Sequence, residues 1–527
     1  MLRFDLSLIV LMGAVVAFAQ DATEPVTTDR IQQLRAEAAH RQRRIIFDND
    51  GNEVVYYCEQ ATAKEFLDKR TTNLAGTQVD TIVYCTFSSG FSMFTHRTKV
   101  GEVFTTMAEG FSRNKTKAFI DQGTDPLEIV VDFCRDNDIE VLWSMRMNDI
   151  HDSWNAWYSP YLFPQLKKDH PEYLLGDKQT RTVNGRWSGV DYARPEIRDL
   201  AFQFIQEVCQ DYDVDGVLMD FFRHPAYFRS HVQGGVATQE NLDAMTDLVR
   251  RIRTMADAEA LKKGHPILVT MRVPDSVEYC KAIGLDIERW LDERLIDWFS
   301  GSGYFRLNPW ETTVSLAHKY NVPFYASLDE TRLRDDAAKN LRGSLESYRA
   351  RAEEVWQSGA DGIYMFNFFD PNSPLWRELG SLDTLQGLNK TYTTGARGVY
   401  DLRNIWFKGG DRFVRRTLVS PESPRTIAPA QPCEVEIVVG QLPLPRDGAA
   451  PKMTLVVHTK ETAAESGLAA RLNGVELSNE VEQDNLLRLP VPIDLVHAGA
   501  NRIEVTSTNA APVELLDVYL ELTYPGE

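Results

Sequence analysis

Eight short apolar runs, separated by stretches that read as helix, constrain this chain more than any other feature. They are Arg44 to Asp48, Thr81 to Phe87, Glu140 to Met147, Val214 to Met219, Ile267 to Met271, Ile296 to Phe299, Pro323 to Leu328 and Gly362 to Phe366. Helix-like segments between them include Pro126 to Asp136, Pro195 to Tyr212, Gln239 to Lys262 and Ala337 to Gly359. Strands joined through helices pair in parallel, because a tight turn can only join antiparallel neighbours. Eight such units close into a (β/α)8 barrel, expected here over residues 44–394.

After Trp376 the helical period disappears. Short alternating runs follow, such as Cys433 to Val438, Met453 to His458, Arg502 to Thr508 and Val513 to Thr523, divided by Gly, Asn and Pro turns. They predict an all-β sandwich over residues 395–527, so the class is α/β with an appended β domain. No aromatic platform stands out in it, and structural support is the favoured role.

At the other end, Arg3 precedes an apolar core, Leu6 to Val16, and Ala17-Phe18-Ala19 has the small-x-small form of a cleavage site before Gln20. Residues 1–19 are therefore expected to be a signal peptide, too short in their apolar run for a membrane anchor. Residues 20–43 read as a polar helix or linker. The mature protein is expected to be secreted or periplasmic, with no membrane association.

The net charge of −19 argues against a general nucleic-acid binder, while leaving room for local basic clusters. None of the six cysteines forms a C-x-x-C pair, so no structural zinc is expected. Buried thiols are the plain reading, with one disulfide open. No cofactor or metal is called for.

In a barrel of this kind the chemistry sits at the carboxyl ends of the strands. The fourth run, Y-D-V-D-G-V-L-M-D-F-F-R-H-P, stops abruptly at Asp220 and continues to Arg223 and His224. A cap on the next helix, or a pair with Arg223, is the plain alternative for Asp220. Period-two alternation puts Ser144, Arg146 and Asn148 on one face of the third strand, and Thr270 and Arg272 on one face of the fifth. Asp149 and His151 follow the third strand. They could bind a metal, though His151 reads equally well as a substrate or loop contact. Tyr304 follows the sixth strand, Asp329 and Glu330 end the seventh, and Asn367 and Asp370 follow the eighth. Asn49-Asp50-Gly51 after the first run is either a hairpin turn or a strand-to-helix loop with Asn49 and Asp50 facing the site.

Two carboxylates across a barrel mouth suit glycosidic bond hydrolysis, one protonating the leaving oxygen and the other attacking or activating water. Asp220 as acid/base and Glu330 as nucleophile or base are the expected pair, with Asp329 competing with Glu330; a second reading makes Asp220 the nucleophile and Asp329, Glu330 or Asp370 the acid. Expected substrate contacts are Asp50, His96, Arg146, Asn148, His151, Arg223, His224, Arg272, Tyr304 and Asn367. Two long connections, residues 148–213 and 221–266, would build the cleft. The first carries Trp154, Trp157, Tyr158, Tyr161, Trp187 and Tyr192, whose flat faces could stack on sugar rings, although most should pack the loop.

Three segments carry a family resemblance: His170 to Leu175 (H-P-E-Y-L-L), Val190 to Asp199 (V-D-Y-A-R-P-E-I-R-D) and Tyr212 to Pro225. They resemble the glycosyl-hydrolase-like family ten proteins, which are often exported and have barrels of the glycoside hydrolase superfamily. The resemblance is specific over residues 169–225 and does not reach the C-terminal region. It implies that Asp220 matches the first acid of the family's Asp pair and Arg223 its arginine. Phe221 and His224 depart from the pattern, where the family often has a second Asp and an aromatic.

Cationic groups recur near the expected mouth: His96, Arg97, Arg146, Arg223, His224, Arg272, Arg306 and Arg332. Arginine suits sulfate and carboxylate groups through paired donors, so a sulfated or uronate-containing polysaccharide is one expected substrate class. Pairing with nearby acids is the competing explanation. A second function class stays open: a non-catalytic carbohydrate-binding or cell-envelope protein on the same barrel.

Overall fold

The computed structural model describes residues 27–525, apart from 430, 446–449, 462–466, 479–480 and 484. The expected signal segment, 1–19, lies outside the described residues. Among those described, no helix is long and apolar enough to cross a membrane.

Eight strands close a parallel barrel: β1 (Ile45–Asn49), β2 (Val79–Cys85), β3 (Glu140–Arg146), β4 (Gly216–Asp220), β5 (Leu268–Val273), β6 (Trp298–Gly301), β7 (Phe324–Asp329) and β8 (Gly362–Phe366). Each strand pairs with its sequence neighbours, and β8 closes onto β1. The strands read as continuous apolar runs because one face fills the barrel and the other meets the helices. All seven residues of β3 are buried, for example. The register makes Arg146, Asp220, Arg272 and Ser300 consecutive Cα partners across β3 to β6. Partners in a parallel register face the same side, so these polar groups share one layer.

The outer helices start and stop where local chemistry dictates. Helix α1 (Thr28–Ala39) precedes β1. Helix α2 (Pro126–Asp136) begins with Asp125, whose side chain accepts from Leu127 N and Glu128 N, and has proline at its first position. Helix α3 (Pro195–Asp211) leads into β4. Helix α4 (Gln239–Lys263) has a reciprocal cap between Thr238 and Asn241 and ends at Gly264 in the left-handed region. Helix α5 (Trp310–Lys319) follows β6. The stretch predicted as one helix over 337–359 is two, Asp336–Gly343 and α6 (Leu345–Gln357), because Ser344 takes an extended conformation and caps the second.

The C-terminal region is a β-sandwich. One sheet holds β9 (Lys390–Thr393), β10 (Arg425–Ile427), β12 (Lys452–Thr459), β15 (Val481–Gln483), β16 (Leu486–Val491) and β18 (Val513–Thr523). The other holds β11 (Cys433–Val439), β13 (Leu468–Leu472), β14 (Val475–Glu476) and β17 (Gly499–Ser507). Alternate residues of β11 and β17 point into a separate apolar core that includes Val435, Ile437, Ile503 and Val505. Ala350 of α6 belongs to that core. Arg342 donates to both carboxylate oxygens of Asp517 on β18, at 2.7 and 2.8 Å, so barrel and sandwich share a buried ion pair.

Residues 395–418 do not stay with the sandwich sheets. Val399, Leu402, Trp406, Phe407 and Phe413 join the barrel's hydrophobic core. Gly185 N donates to Ile405 O at 2.6 Å, Lys408 N to Asn184 Oδ1 at 2.7 Å, and Arg415 N to Leu307 O at 2.7 Å. The segment is a strap over the barrel mouth, tied to the long connection after β3 and to the loop after β6. All six cysteines are buried and unpaired.

Candidate functional site

Asp220 ends β4 inside the barrel. Its Oδ1 accepts from Phe222 N (2.9 Å), Arg223 N (3.0 Å) and Arg272 Nε (3.0 Å), and its Oδ2 from Arg272 Nη2 (2.5 Å). Arg272 also reaches Asp48 Oδ2 with Nη1 at 3.2 Å, and its guanidinium lies 3.8 Å from the centre of the Phe366 ring. Burial, reinforced by the negative charges of Asp220 and Asp50, pushes the Asp48 carboxyl up to about 7 despite Arg272. Asp48 is a member of this group that the sequence reading passed over as the last residue of a strand.

Asp50 sits in a strand-to-helix loop, not a hairpin. Gly51 follows with φ +62°, and a Cβ there would fall 1.6 Å from the Cys85 carbonyl oxygen, so only glycine lets this loop close on β2. Asp50 accepts from Arg146 Nη2 at 2.9 Å and pairs with Arg223 Nη2 at 3.3 Å. Burial alone would raise its carboxyl, but Arg223 and Arg146 outweigh it and hold Asp50 below the usual carboxylate range.

Beside it, Asp149 Oδ2 takes a hydrogen bond from His151 Nδ1 at 2.7 Å and from Arg146 Nη1 at 3.2 Å. Its Oδ1 accepts from Gly90 N (2.9 Å), His151 N (3.1 Å) and Ser89 Oγ (3.3 Å). Burial pushes His224 well below the ordinary imidazole value, and its Nδ1 accepts from Ile150 N at 3.2 Å. Asp149, His151 and His224 bring possible ligand atoms within 4.8 Å of one another. They do not fit a metal as arranged: both carboxylate oxygens and the His224 Nδ1 lone pair are engaged, and Arg146 places a positive charge where a cation would go. The arrangement is an aspartate–histidine dyad, which fixes the His151 ring through Nδ1 and leaves Nε2 free of the dyad.

Above these groups lies a cavity of about 410 Å³. The loop after β3 contributes His151, Trp154 and Tyr158; the loops after β4, β6 and β7 contribute Arg223, His224, Tyr304 and Arg332; the strap contributes Arg397, Asp401 and Trp406. Trp406 stacks on Tyr304 at 6.3 Å and 17° and meets His224 at 5.5 Å. Arg223, Arg332 and Arg397 stand 5.8, 5.6 and 5.4 Å from the Tyr304 ring centre. Arg397 pairs with Asp329 Oδ2 at 2.5 Å, although its Nε hydrogen is aimed at the Glu330 carbonyl, 2.7 Å away. Among the described residues, Nε and Nη1 of Arg223 and Nη1 and Nη2 of Arg397 are buried without a hydrogen-bond partner. Arginine donors buried without a partner are costly.

The other expected contacts are placed as follows. Glu330 stands on the rim, half-buried, and accepts from Arg332 Nε (2.8 Å) and Asn367 Nδ2 (3.4 Å). His96 is not brought to the mouth. It lies 1% exposed between barrel and helix layer, bonded to Thr86 Oγ1 at 2.8 Å and facing Glu207 of α3 at 3.9 Å. Asn148 is fully buried and joins the two long connections, donating to Val190 O (3.0 Å) and Ala226 O (2.7 Å). Arg97 and Arg306 are taken up by acids, Arg97 by Asp125 and Glu128 and Arg306 by Glu354. Of the six aromatics in the first connection, Trp154 and Tyr158 reach the cavity, whereas Tyr192 is fully buried and Trp157 exposed. Arg397, Asp401 and Trp406 were not singled out from the sequence, because a strap without periodicity gives no sign of where it lies.

No protein-family model matches the sequence, and no curated protein does. Solved structures to which the chain is similar include three glycosidases. Alpha-L-fucosidase isoenzyme 2 from Paenibacillus thiaminolyticus is 13% identical, with a TM-score of 0.39 over 64% of this chain and 48% of that one. A GH36 alpha-galactosidase from Geobacillus stearothermophilus is 9% identical, with a TM-score of 0.37 over 90% of this chain and 56% of that one. A family 18 N-acetylglucosaminidase from Paenibacillus barengoltzii is 13% identical, with a TM-score of 0.36 over 65% of this chain and 98% of that one. The chain thus spans about half the length of the fucosidase and of the galactosidase.

Proposed function

We propose that this protein is an exported glycoside hydrolase acting on an anionic polysaccharide or oligosaccharide. One observation carries the reading: a cavity at the carboxyl end of the barrel is lined by aromatic side chains and by Arg223, Arg332 and Arg397, and Arg223 and Arg397 keep buried donors without a partner among the described residues. Aromatic faces suit sugar rings, and paired guanidinium donors suit a sulfate or uronate group. In a chain with an excess of acids, an arginine-walled cavity selects for anions locally.

Asp220 and Glu330 remain the proposed pair for a two-carboxylate mechanism. Asp220 accepts four hydrogen bonds, and handing over a proton would break a contact with Arg272. That fits attack or water activation better than the acid/base role first read for it. With Asp220 attacking, Glu330 takes the acid role; Asp48, pushed up to about 7, shares Arg272 with Asp220. Likeness to the glycosyl-hydrolase-like family ten proteins through Asp220 and Arg223 belongs to the same proposal, as does export by residues 1–19.

A carbohydrate-binding barrel without catalysis is the second reading. The full engagement of Asp220 and the rim position of Glu330, paired with Arg332, favour it. Release of reducing ends from a panel of neutral, sulfated and uronate polysaccharides tests both. Turnover on an anionic member, abolished by Asp220→Asn, supports the hydrolase; tight binding without turnover supports the binder; indifference to sulfate and uronate removes the anionic substrate.

A further inference from the structure

A second basic site adjoins the cavity. Residues 178–187 and 403–408 form the walls of a groove of about 880 Å³, lined by Lys178, Arg181, Arg186, Arg403 and Lys408 and by no aspartate or glutamate. The chain carries 76 acidic and 57 basic side chains, so a wall of five cations without one acid runs against its overall balance. Arg403 is paired with Asp411, and Arg186 donates to Ser153 O at 3.0 Å. Lys178, Arg181 and Lys408 are exposed and form no ion pair among the described residues. Asp177, the nearest acid in sequence, is turned into its own loop, where it accepts from Gln179 N (2.9 Å), Thr180 N (2.7 Å) and Thr180 Oγ1 (2.8 Å).

Groove and cavity adjoin. Ile405 lines both, and the Arg186 guanidinium lies 4.3 Å from the ring centre of Trp154, a cavity residue. The strap forms one wall of each. A ligand that extends from the cavity past Trp154 would meet Arg186 there.

We propose that this groove binds the continuation of a polyanionic glycan whose terminal sugars occupy the barrel cavity, so that the protein takes long acidic chains in preference to short ones. The inference rests on the anionic-glycan reading of the cavity and adds chain length and direction to it. Each free cation meets one repeating charge on the ligand, and the contacts weaken with salt because they are solvent-exposed.

The test compares a chondroitin sulfate disaccharide and decasaccharide, with a neutral chitin oligosaccharide of the longer length as control, by calorimetry at two salt concentrations. Wild-type protein is expected to bind the decasaccharide more tightly than the disaccharide. The combined variant Lys178→Ala, Arg181→Ala, Lys408→Ala should lose about tenfold for the decasaccharide, with a shallower salt dependence, and nothing for the disaccharide. Equal decasaccharide affinity in variant and wild type overturns the groove, and a disaccharide that still depends on Arg397 then leaves the cavity reading standing. Absence of any preference for sulfated over neutral chains overturns both.

Discussion

Arg272 holds Asp220 through two nitrogens, Nε at 3.0 Å and Nη2 at 2.5 Å, and spends the third on Asp48 at 3.2 Å. The guanidinium has no exposed surface and lies flat against Phe366. Strands β1, β4, β5 and β8 are thus tied together by one cation inside the barrel.

Removing that cation should be costly. Arg272→Met leaves two carboxyls buried without their counter-charge, and the expected loss of stability is about 3–5 kcal/mol, read from urea unfolding. Asp220→Asn keeps an acceptor for Arg272 and should lower stability less, while reducing any glycosidase turnover by about a hundredfold or more. Retention of full turnover would remove Asp220 from the mechanism.

Asp48 links stability to pH. Its carboxyl titrates near 3.9 when unfolded and is pushed up to about 7 when folded, so between these values the folded state binds the extra proton. Stability contributed by this group is present below about pH 4 and is lost as pH rises through 7. Asp48→Asn, which preserves an acceptor for Arg272, should flatten this dependence. The variant is expected to gain on wild type by on the order of a few kcal/mol at pH 8 and not at pH 4. Equal unfolding midpoints of the two proteins across this range would show that the burial of Asp48 is relieved by other means.

Arg397 has two donors with no partner and no sequence-adjacent acid to take them. Arg397→Ala should weaken a sulfated or uronate ligand by about tenfold to a hundredfold, the worth of a charged hydrogen bond, and leave a neutral sugar of the same size almost unchanged. A matched pair of sulfated and desulfated oligosaccharides reads this difference directly.

The pair between Arg342 and Asp517 joins barrel and sandwich. Arg342→Ala strands a buried carboxylate on β18 and should cost about 3–5 kcal/mol. Calorimetry is expected to resolve two transitions where wild type has one, because α6 would then be the main remaining tie between the two cores.

Much of this protein is set locally. Short apolar runs mark all eight barrel strands, helical spacing marks the outer helices and period-two alternation marks the long sandwich strands, because burial imposes a pattern that any window of residues displays. Alternation groups Arg146 with Ser144 and Arg272 with Thr270 within their strands, and the register then sets both beside Asp220 in one layer. Tertiary structure decided what no repeat encodes. Barrel closure sets Asp48 of β1 beside Arg272 of β5, and the strap carries Arg397 and Trp406 back over the mouth from beyond the first sandwich strand. His96 shows the opposite outcome, its ring turned to Thr86 and Glu207 in the helix layer rather than to the mouth. Loops and straps take their paths from contacts with distant residues, and such contacts leave no period in the chain to read.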